Sequence, residues 1–414
     1  MTQALAAVSI SGSSTNVAEP SETVKKLLAL RDELRGLFPE REELIDQMIY
    51  AVMIREHVLV YGVFGTGKSH FVSSFFGSFI GASMYSIELT KFMTEANAVG
   101  IPNPKILREE GRIFHERKGT MLDAVFCELD EFFDANDHLL RTLLGILNER
   151  RFNRGVQLEQ ANLHTALAST NADPRKEIMR SPTLGAVVDR FLFQTDVGYL
   201  EKPESRRKMF ANYMSRRVPQ TKIDYADLSA LSKAVLAIPI DDPVLIDLHE
   251  QILTGARKLR LKEDGAISDR RACQAFKVVQ AHAMLYGRTD VLPEDFLATK
   301  WVYCFDDDKV THEKFAAMAS PLIEKIVKER QPDVVATQMR LFDEYATQIP
   351  KLTGSSKPEP AELVVMNRTL VELIDKVGVV QPAHVAIEDR KKALLKELES
   401  AKEKVGRLID GRPI

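Results

Sequence analysis

The sequence predicts an α/β fold in which a mostly parallel sheet lies between helices and is followed by an all-helical domain and a helical C-terminal extension. Three observations predict it. Five short apolar or β-branched runs recur between residues 58 and 197, each separated from the next by a helical stretch or a longer insertion, the alternation that covers a parallel sheet on both faces. The first run leads into a glycine-rich loop, GVFGTGKS at 62–69, which opens a helix. Beyond about residue 215 the strand signal ends and helical periodicity takes over.

Taken in order, residues 1–21 have neither a basic start nor a sustained apolar run, so they are expected to be a flexible leader and not a signal peptide. Leu27, Leu30 and Leu34, then Leu44, Met48, Ile49 and Val52, fall at helical spacing and predict two helices before the first strand. Strands are expected at 58–61, 83–88, 124–129, 164–169 and 191–197, giving an α/β domain over 22–215. Helices over 242–261, 268–286 and 293–305 make a small all-helical domain, 225–306. Residues 307–352 form a connector with two helices across 311–348, and the stretch TGSSKPEPAE at 353–362 is a linker by composition. The last region, 353–414, adds a helix at 361–376 and a seam of Ile387, Leu394, Leu398, Ala401, Val405 and Leu408. Two readings of that seam stay open: docking to a partner or neighbouring protomer, or a hairpin folded on its own chain.

Bulk composition narrows the function classes. The chain has 414 residues, too many for one ordinary domain, and its formal charge is -3 from 56 basic and 59 acidic residues. Such a balance supplies no global field for sequence-independent nucleic-acid binding, and no basic stretches interleaved with aromatics are present. Cys127, Cys273 and Cys304 are far apart and lack metal-ligand spacing, and two of the three have apolar neighbours that suggest buried thiols. No window approaches the roughly 18 apolar residues that span a bilayer. A cytoplasmic protein without membrane insertion is expected.

The chemistry sits around the glycine-rich loop. Gly62, Gly67, Lys68 and Ser69 match G-x-x-x-x-G-K-[ST], with the required strand before and helix after. Glycines let the loop curl until successive N–H groups converge on phosphate oxygens. Lys68 reaches the β- and γ-phosphates, the Ser69 hydroxyl ligates Mg²⁺, and the helix adds the positive end of its dipole. Gly65, Thr66 and His70 complete the expected nucleotide-binding set. Some 60 residues on, the run AVFCELDE ends an apolar strand in Asp130, placed to hold the Mg²⁺ shell, and Glu131, placed to polarise an attacking water. Glu128, in the same run, is expected at an edge or in solvent. Asn171 lies at the tip of the next strand, where it can position that water, although alone it would be a turn former. Arg190, after Asp189 and before the fifth strand, can project from the domain and stabilise charge on a γ-phosphate, including a neighbour's.

These residues resemble the MoxR branch of the AAA+ ATPases, and within it the RavA-type subgroup, over about residues 37–305. The likeness rests on REELIDQMIYAVMIREHVLVYG leading into the P-loop, LDEFFDANDHLLRTLLGILNERRFNRG, VVDRFLF and ISDRRACQAFKVVQAHAMLYGR. It implies an AAA+ core with a helical lid, binding ATP with Mg²⁺ and hydrolysing it. Lys68 and Ser69 would be the Walker A lysine and hydroxyl, Asp130 and Glu131 the Walker B pair, and Asn171 the sensor-1 residue. Arg190 would be an arginine finger acting in trans, and Arg270 the sensor-2 arginine of the lid, with Arg271 as the alternative. The resemblance also implies a ring, commonly a hexamer, a von Willebrand A-domain partner and a protein client that is remodelled. Residues 89–122 correspond to the helix-2 region, where FHERKG offers a small basic segment, expected to be a solvated loop more readily than a client-gripping one. Val63 replaces the subgroup's usual proline, and residues from about 307 onward do not match the insertion domain of its best-known members. Two other classes are weighed against this one: a nucleic-acid motor on the same fold, and a nucleotide-gated scaffold with little turnover.

Overall fold

The computed structural model describes residues 21–409 apart from 115–116, 155–156, 173, 175–176, 178–181, 261–266, 305–308, 331, 354–359 and 380–384. The expected leader apart from Ser21, most of the linker and part of the FHERKG segment lie outside the described residues. The chain forms two compact units, Met1–Ala319 and Ser320–Ile414.

In the first unit, β1 (Val58–Tyr61), β2 (Met84–Glu88), β3 (Phe126–Asp130), β4 (Thr165–Thr170) and β5 (Phe193–Asp196) form one parallel sheet in the order β2-β3-β4-β1-β5. All five expected strands are present, displaced at their ends by no more than two residues. Every residue of β1 and β4 is buried, as strands covered on both faces must be. Because the strands are parallel, all five point their C-terminal ends the same way, and Tyr61, Asp130, Thr170 and Asp196 gather at one edge.

Two helices precede the sheet. Glu22–Leu37 is capped by the Ser21 side chain, which accepts from the Val24 N–H, and buries Val24, Leu27, Leu30 and Leu34. Glu42–Ile54 ends where Arg55 turns left-handed at φ 58°. The P-loop helix, Lys68–Phe76, anchors itself with Phe71, Phe75 and Phe76, the last stacked on Phe126 at 4.6 Å between ring centroids. Two small pairings went unread in the sequence: an antiparallel hairpin of Arg151–Arg154 with Gln157–Gln160, and a two-residue parallel contact of Phe79–Ile80 with Ile223–Asp224. RFNR and QLEQ have no apolar alternation, and a two-residue strand is too short to show a period.

The lid helices run Pro243–Arg260 and Asp269–Leu285; the expected helix at 293–305 is a 3₁₀ segment, Pro293–Thr299, followed by the short helix Lys300–Tyr303. A fully buried carboxylate organises this turn. Asp295 accepts from Arg288 at 2.6 and 2.7 Å, the Leu292 N–H at 2.8 Å and His282 at 2.7 Å, so the tight winding is set by satisfying one charge.

The second unit contains the helices Pro332–Thr353, Pro360–Val379 and Val385–Ile409 around a core that includes Phe342, Leu370 and Leu373. Ile387, Leu394, Leu398, Ala401 and Val405 are buried in that core, and Leu408 packs at its border. Of the two readings of the seam, the one that closes on its own chain is observed.

Candidate functional site

The edge of the sheet where the strands end is built around Gly62. Its φ is 135°, and a Cβ there would lie 2.4 Å from the Val197 carbonyl oxygen and 2.7 Å from an Asp196 carboxylate oxygen, so only glycine fits. Gly65 and Gly67, at φ 73° and 82°, are needed for their left-handed backbone, since a Cβ on either would meet no atom within 4 Å. Space on that side of the loop is what close approach of a phosphate requires. Thr66 closes the curl by donating its hydroxyl to the Val63 carbonyl at 3.1 Å. Ser69 is exposed in the first turn of the helix, and the exposed His70 ring packs against Phe38 at 5.2 Å.

Lys68, Asn171 and Glu131 form a continuous chain. The Lys68 ammonium donates to the carbonyls of Gly62 and Val63 at 3.0 and 3.3 Å and to the Asn171 amide oxygen at 2.9 Å. On its other side the Asn171 NH₂ donates to the Glu131 carboxylate. The amide orientation follows from its neighbours, because an ammonium can only donate and a carboxylate only accept. Glu131 itself stands in the left-handed region at φ 48°, a conformation that costs a non-glycine residue free energy and clusters at functional positions. Burial, then the carboxylates of Asp130 and Asp134, hold its pKa above the ordinary glutamate value, and burial lowers that of Lys68 against the pull of Asp130, Glu131 and Asp196.

Asp130 accepts from the Ser169 hydroxyl and, at 3.0 Å, from the Glu131 N–H. Sequence reasoning missed Ser169. The signal was available: it stands two residues before Asn171, on the strand that neighbours Asp130. Mg²⁺ is held by few protein ligands and mostly by phosphates and water, so one carboxylate oriented by a neighbouring hydroxyl, with Ser69 exposed nearby on the P-loop helix, fits that ion. No group of three or more His, Cys, Asp or Glu that could hold a metal by itself exists among the described residues.

Glu128 departs from expectation: it is neither at an edge nor solvated. β3 lies inside the sheet between β2 and β4, Glu128 is in register with Ser86, and the Ser86 hydroxyl donates to it at 2.8 Å. Burial pushes its pKa up, with Asp130 adding to the shift. Its other oxygen is buried without a hydrogen-bond partner among the described residues.

The arginines lie at the other end of the sheet. Arg190 precedes β5, whose Phe193 is in register with Val58 at the start of β1, so the length of a strand, roughly 10 Å, separates its turn from the P-loop end. The lid helix begins here too: Ser268 donates to Asp189 at 2.8 Å, and Arg271, buried, donates to the carbonyls of Leu192 at 2.5 Å, Phe191 at 2.8 Å and Val302 at 3.3 Å. Arg271 is therefore a staple between lid and sheet, its pKa brought down to about 10 by burial. Arg270 is half-buried and donates to Asn148 at 3.0 Å. Of the expected site residues, Lys68, Asp130, Glu131 and Asn171 are brought together with the P-loop, whereas Arg190 and Arg270 share the opposite end. Beside the P-loop a cleft of about 700 Å³, walled by Glu40, Arg41, Asp196, Tyr199, Lys202 and Lys208, offers room for the rest of a nucleotide.

Comparison with known proteins bears on the family and the fold. Residues 25–233 match the family model described as the MoxR domain in the MoxR-vWA-beta-propeller ternary systems, and residues 243–313 match an AAA lid domain. An uncharacterised protein of Methanocaldococcus jannaschii is 27% identical over 394 residues, covering 92% of this chain and 99% of its own. The chaperone MoxR1 of Mycobacterium tuberculosis is 24% identical over 64% of this chain and 71% of its own. In three dimensions the chain shares its fold with a Cytophaga hutchinsonii protein described provisionally as an ATPase, at a TM-score of 0.52 and 17% identity, over 74% of this chain and 94% of that one.

Proposed function

Because the chain belongs to the MoxR family of AAA+ ATPases, we propose that it is an Mg²⁺-dependent ATPase that assembles as a ring and uses hydrolysis to remodel or activate a protein client. The observation that carries the reading is the Lys68–Asn171–Glu131 chain at the mouth of the glycine loop. Lys68 and the loop amides bind the β- and γ-phosphates, and Glu131 draws the proton of the attacking water that Asn171 holds in line. Ser69 and Asp130 would hold Mg²⁺, which when bound would supply positive charge against the phosphate oxygens. The base and ribose occupy the cleft beside Asp196. Arg190, and Arg270 with it, lie an entire strand away from their own P-loop, which supports action on the nucleotide of a neighbouring subunit.

The description of the matched family supports a von Willebrand A-domain protein as partner, with a β-propeller protein as a further candidate. That description gives no support to the RavA-type placement. MoxR1 is described as a chaperone, which supports a protein client over nucleic acid, as does the net charge of -3.

The test is steady-state ATP hydrolysis against protein concentration, with and without Mg²⁺, beside a size measurement in ATP. Specific activity should rise with concentration as larger assemblies form and vanish with chelation. Binding of ATP with flat or absent turnover at every concentration would favour a nucleotide-gated scaffold instead.

A further inference from the structure

At the end of the sheet away from the P-loop, a cavity of about 360 Å³ is walled by Arg55, Arg150, Arg190 and Lys277, with Glu56 as its single carboxylate. Four cations against one anion leave an excess of three positive charges. Glu56 is fully engaged, accepting from Lys277 at 2.6 Å and from Gln274 at 3.3 and 3.4 Å. Arg150 is fixed by backbone carbonyls, those of Leu163 at 3.1 Å, His164 at 3.4 Å, Arg55 and Leu147, which orient its charge without neutralising it. Among the described residues, the Arg55 guanidinium donates to the Leu163 carbonyl at 3.5 Å, and the Nε atoms of Arg55 and Arg190 are buried with no acceptor.

Buried donors without acceptors, and like charges crowded in a partly enclosed space, each cost free energy that an anion would recover. A guanidinium presents a planar fork suited to phosphate oxygens. The walls come from both halves of the first unit: Arg55, Arg150 and Arg190 from the core, Gln274 and Lys277 from the lid helix Asp269–Leu285. We propose that this cavity is a phosphate-binding pocket in which Arg55 joins Arg190 in gripping phosphate oxygens, while the Glu56–Lys277 pair limits the positive charge it offers. The phosphate can belong to a free polyphosphate or to the nucleotide on a second copy of the chain, and in the second case the proposal rests on the trans reading of Arg190.

The probe is inorganic pyrophosphate, titrated by calorimetry at low salt into Lys68→Ala protein, whose own P-loop lacks its lysine. Saturable binding is expected, weakened about tenfold or more by adding Arg55→Gln and strengthened by adding Glu56→Gln, a gain that misfolding cannot produce. That result identifies a free phosphate ligand. If pyrophosphate does not bind, the neighbour's nucleotide is tested: Arg55→Gln should lower turnover without changing assembly size, and mixing with Lys68→Ala protein should restore part of it. No pyrophosphate binding together with wild-type turnover in Arg55→Gln overturns the proposal. Arg190→Ala serves as the separate control, because its complementation by Lys68→Ala tests the trans arginine whether or not Arg55 takes part.

Discussion

Glu131 carries three separable properties: a left-handed backbone, a raised pKa, and a hydrogen bond to Asn171. Substitution Glu131→Gln keeps the shape and removes the base, so ATP affinity should persist while kcat falls roughly 10²- to 10⁴-fold, read by single-turnover hydrolysis. Near-normal kcat would take Glu131 out of the reaction. For Arg190 the informative measurement is complementation: neither Arg190→Ala nor Lys68→Ala should turn over alone, and mixtures should recover activity if the arginine serves a neighbour. No recovery at any ratio would leave Arg190 without a trans role. At this scale the sequence foretold which residues meet wherever a local motif sets their place, as for Lys68, Asp130 and Glu131. Glu128 and Arg271 were misread or left open because their parts depend on long-range partners, Ser86 across a strand pair and the carbonyls of Phe191 and Leu192 across the lid.

Elements respond to forces that single residues do not reveal. The turn from β1 into the P-loop passes so close to the Val197 carbonyl that Gly62→Ala must push two strand ends apart, whereas Gly65→Ala suffers only an unfavourable φ. Denaturant unfolding should show a loss of about 1–2 kcal/mol for Gly65→Ala and a distinctly larger one for Gly62→Ala; equal losses would mean the strand ends yield freely. Three histidines bind the sheet and lid as neutral rings: His57 between the Leu147 carbonyl and the Ala166 N–H, His164 on the Val52 carbonyl, and His249 near Ala272 and Tyr303. Burial lowers all three pKa values, those of His164 and His249 to about 4 and that of His57 well below its ordinary value. The unfolded chain therefore takes up protons first, near the ordinary histidine value of about 6.5. Stability should be complete above that pH and decline as pH falls toward 4, which a denaturant midpoint measured at pH 7 and pH 5 will show; a constant midpoint would contradict the neutral assignment. Apolar periodicity made the long helices and the five strands legible, but the 3₁₀ turn at Pro293–Thr299 answers to the Asp295 charge, and periodicity does not report charge.

For the whole molecule, the second unit has its own core, from Phe342 to Val405. A fragment spanning 331–414 should consequently be helical and melt cooperatively by circular dichroism; a non-cooperative melt would mean its core depends on the rest of the chain. The order of segments, α/β core then helical lid then helical extension, was readable from where strand periodicity stops. The position of Arg190 before the fifth strand was readable with it, since a parallel sheet sets every strand start at the end opposite the P-loop; that of Arg270 was not, because where a lid residue meets the core is fixed by tertiary packing. The position of Arg190 has an arithmetic consequence. With the phosphate loop at one end of the sheet and Arg190 at the other, the proposed shared site joins unlike faces, and such contacts propagate head to tail until rotation closes them. An unclosed row of n protomers completes n−1 sites, leaving one terminal loop with no donor and one terminal arginine with no acceptor. Output per protomer then begins at about half in a pair, creeps upward with length, and steps to its full value only on closure.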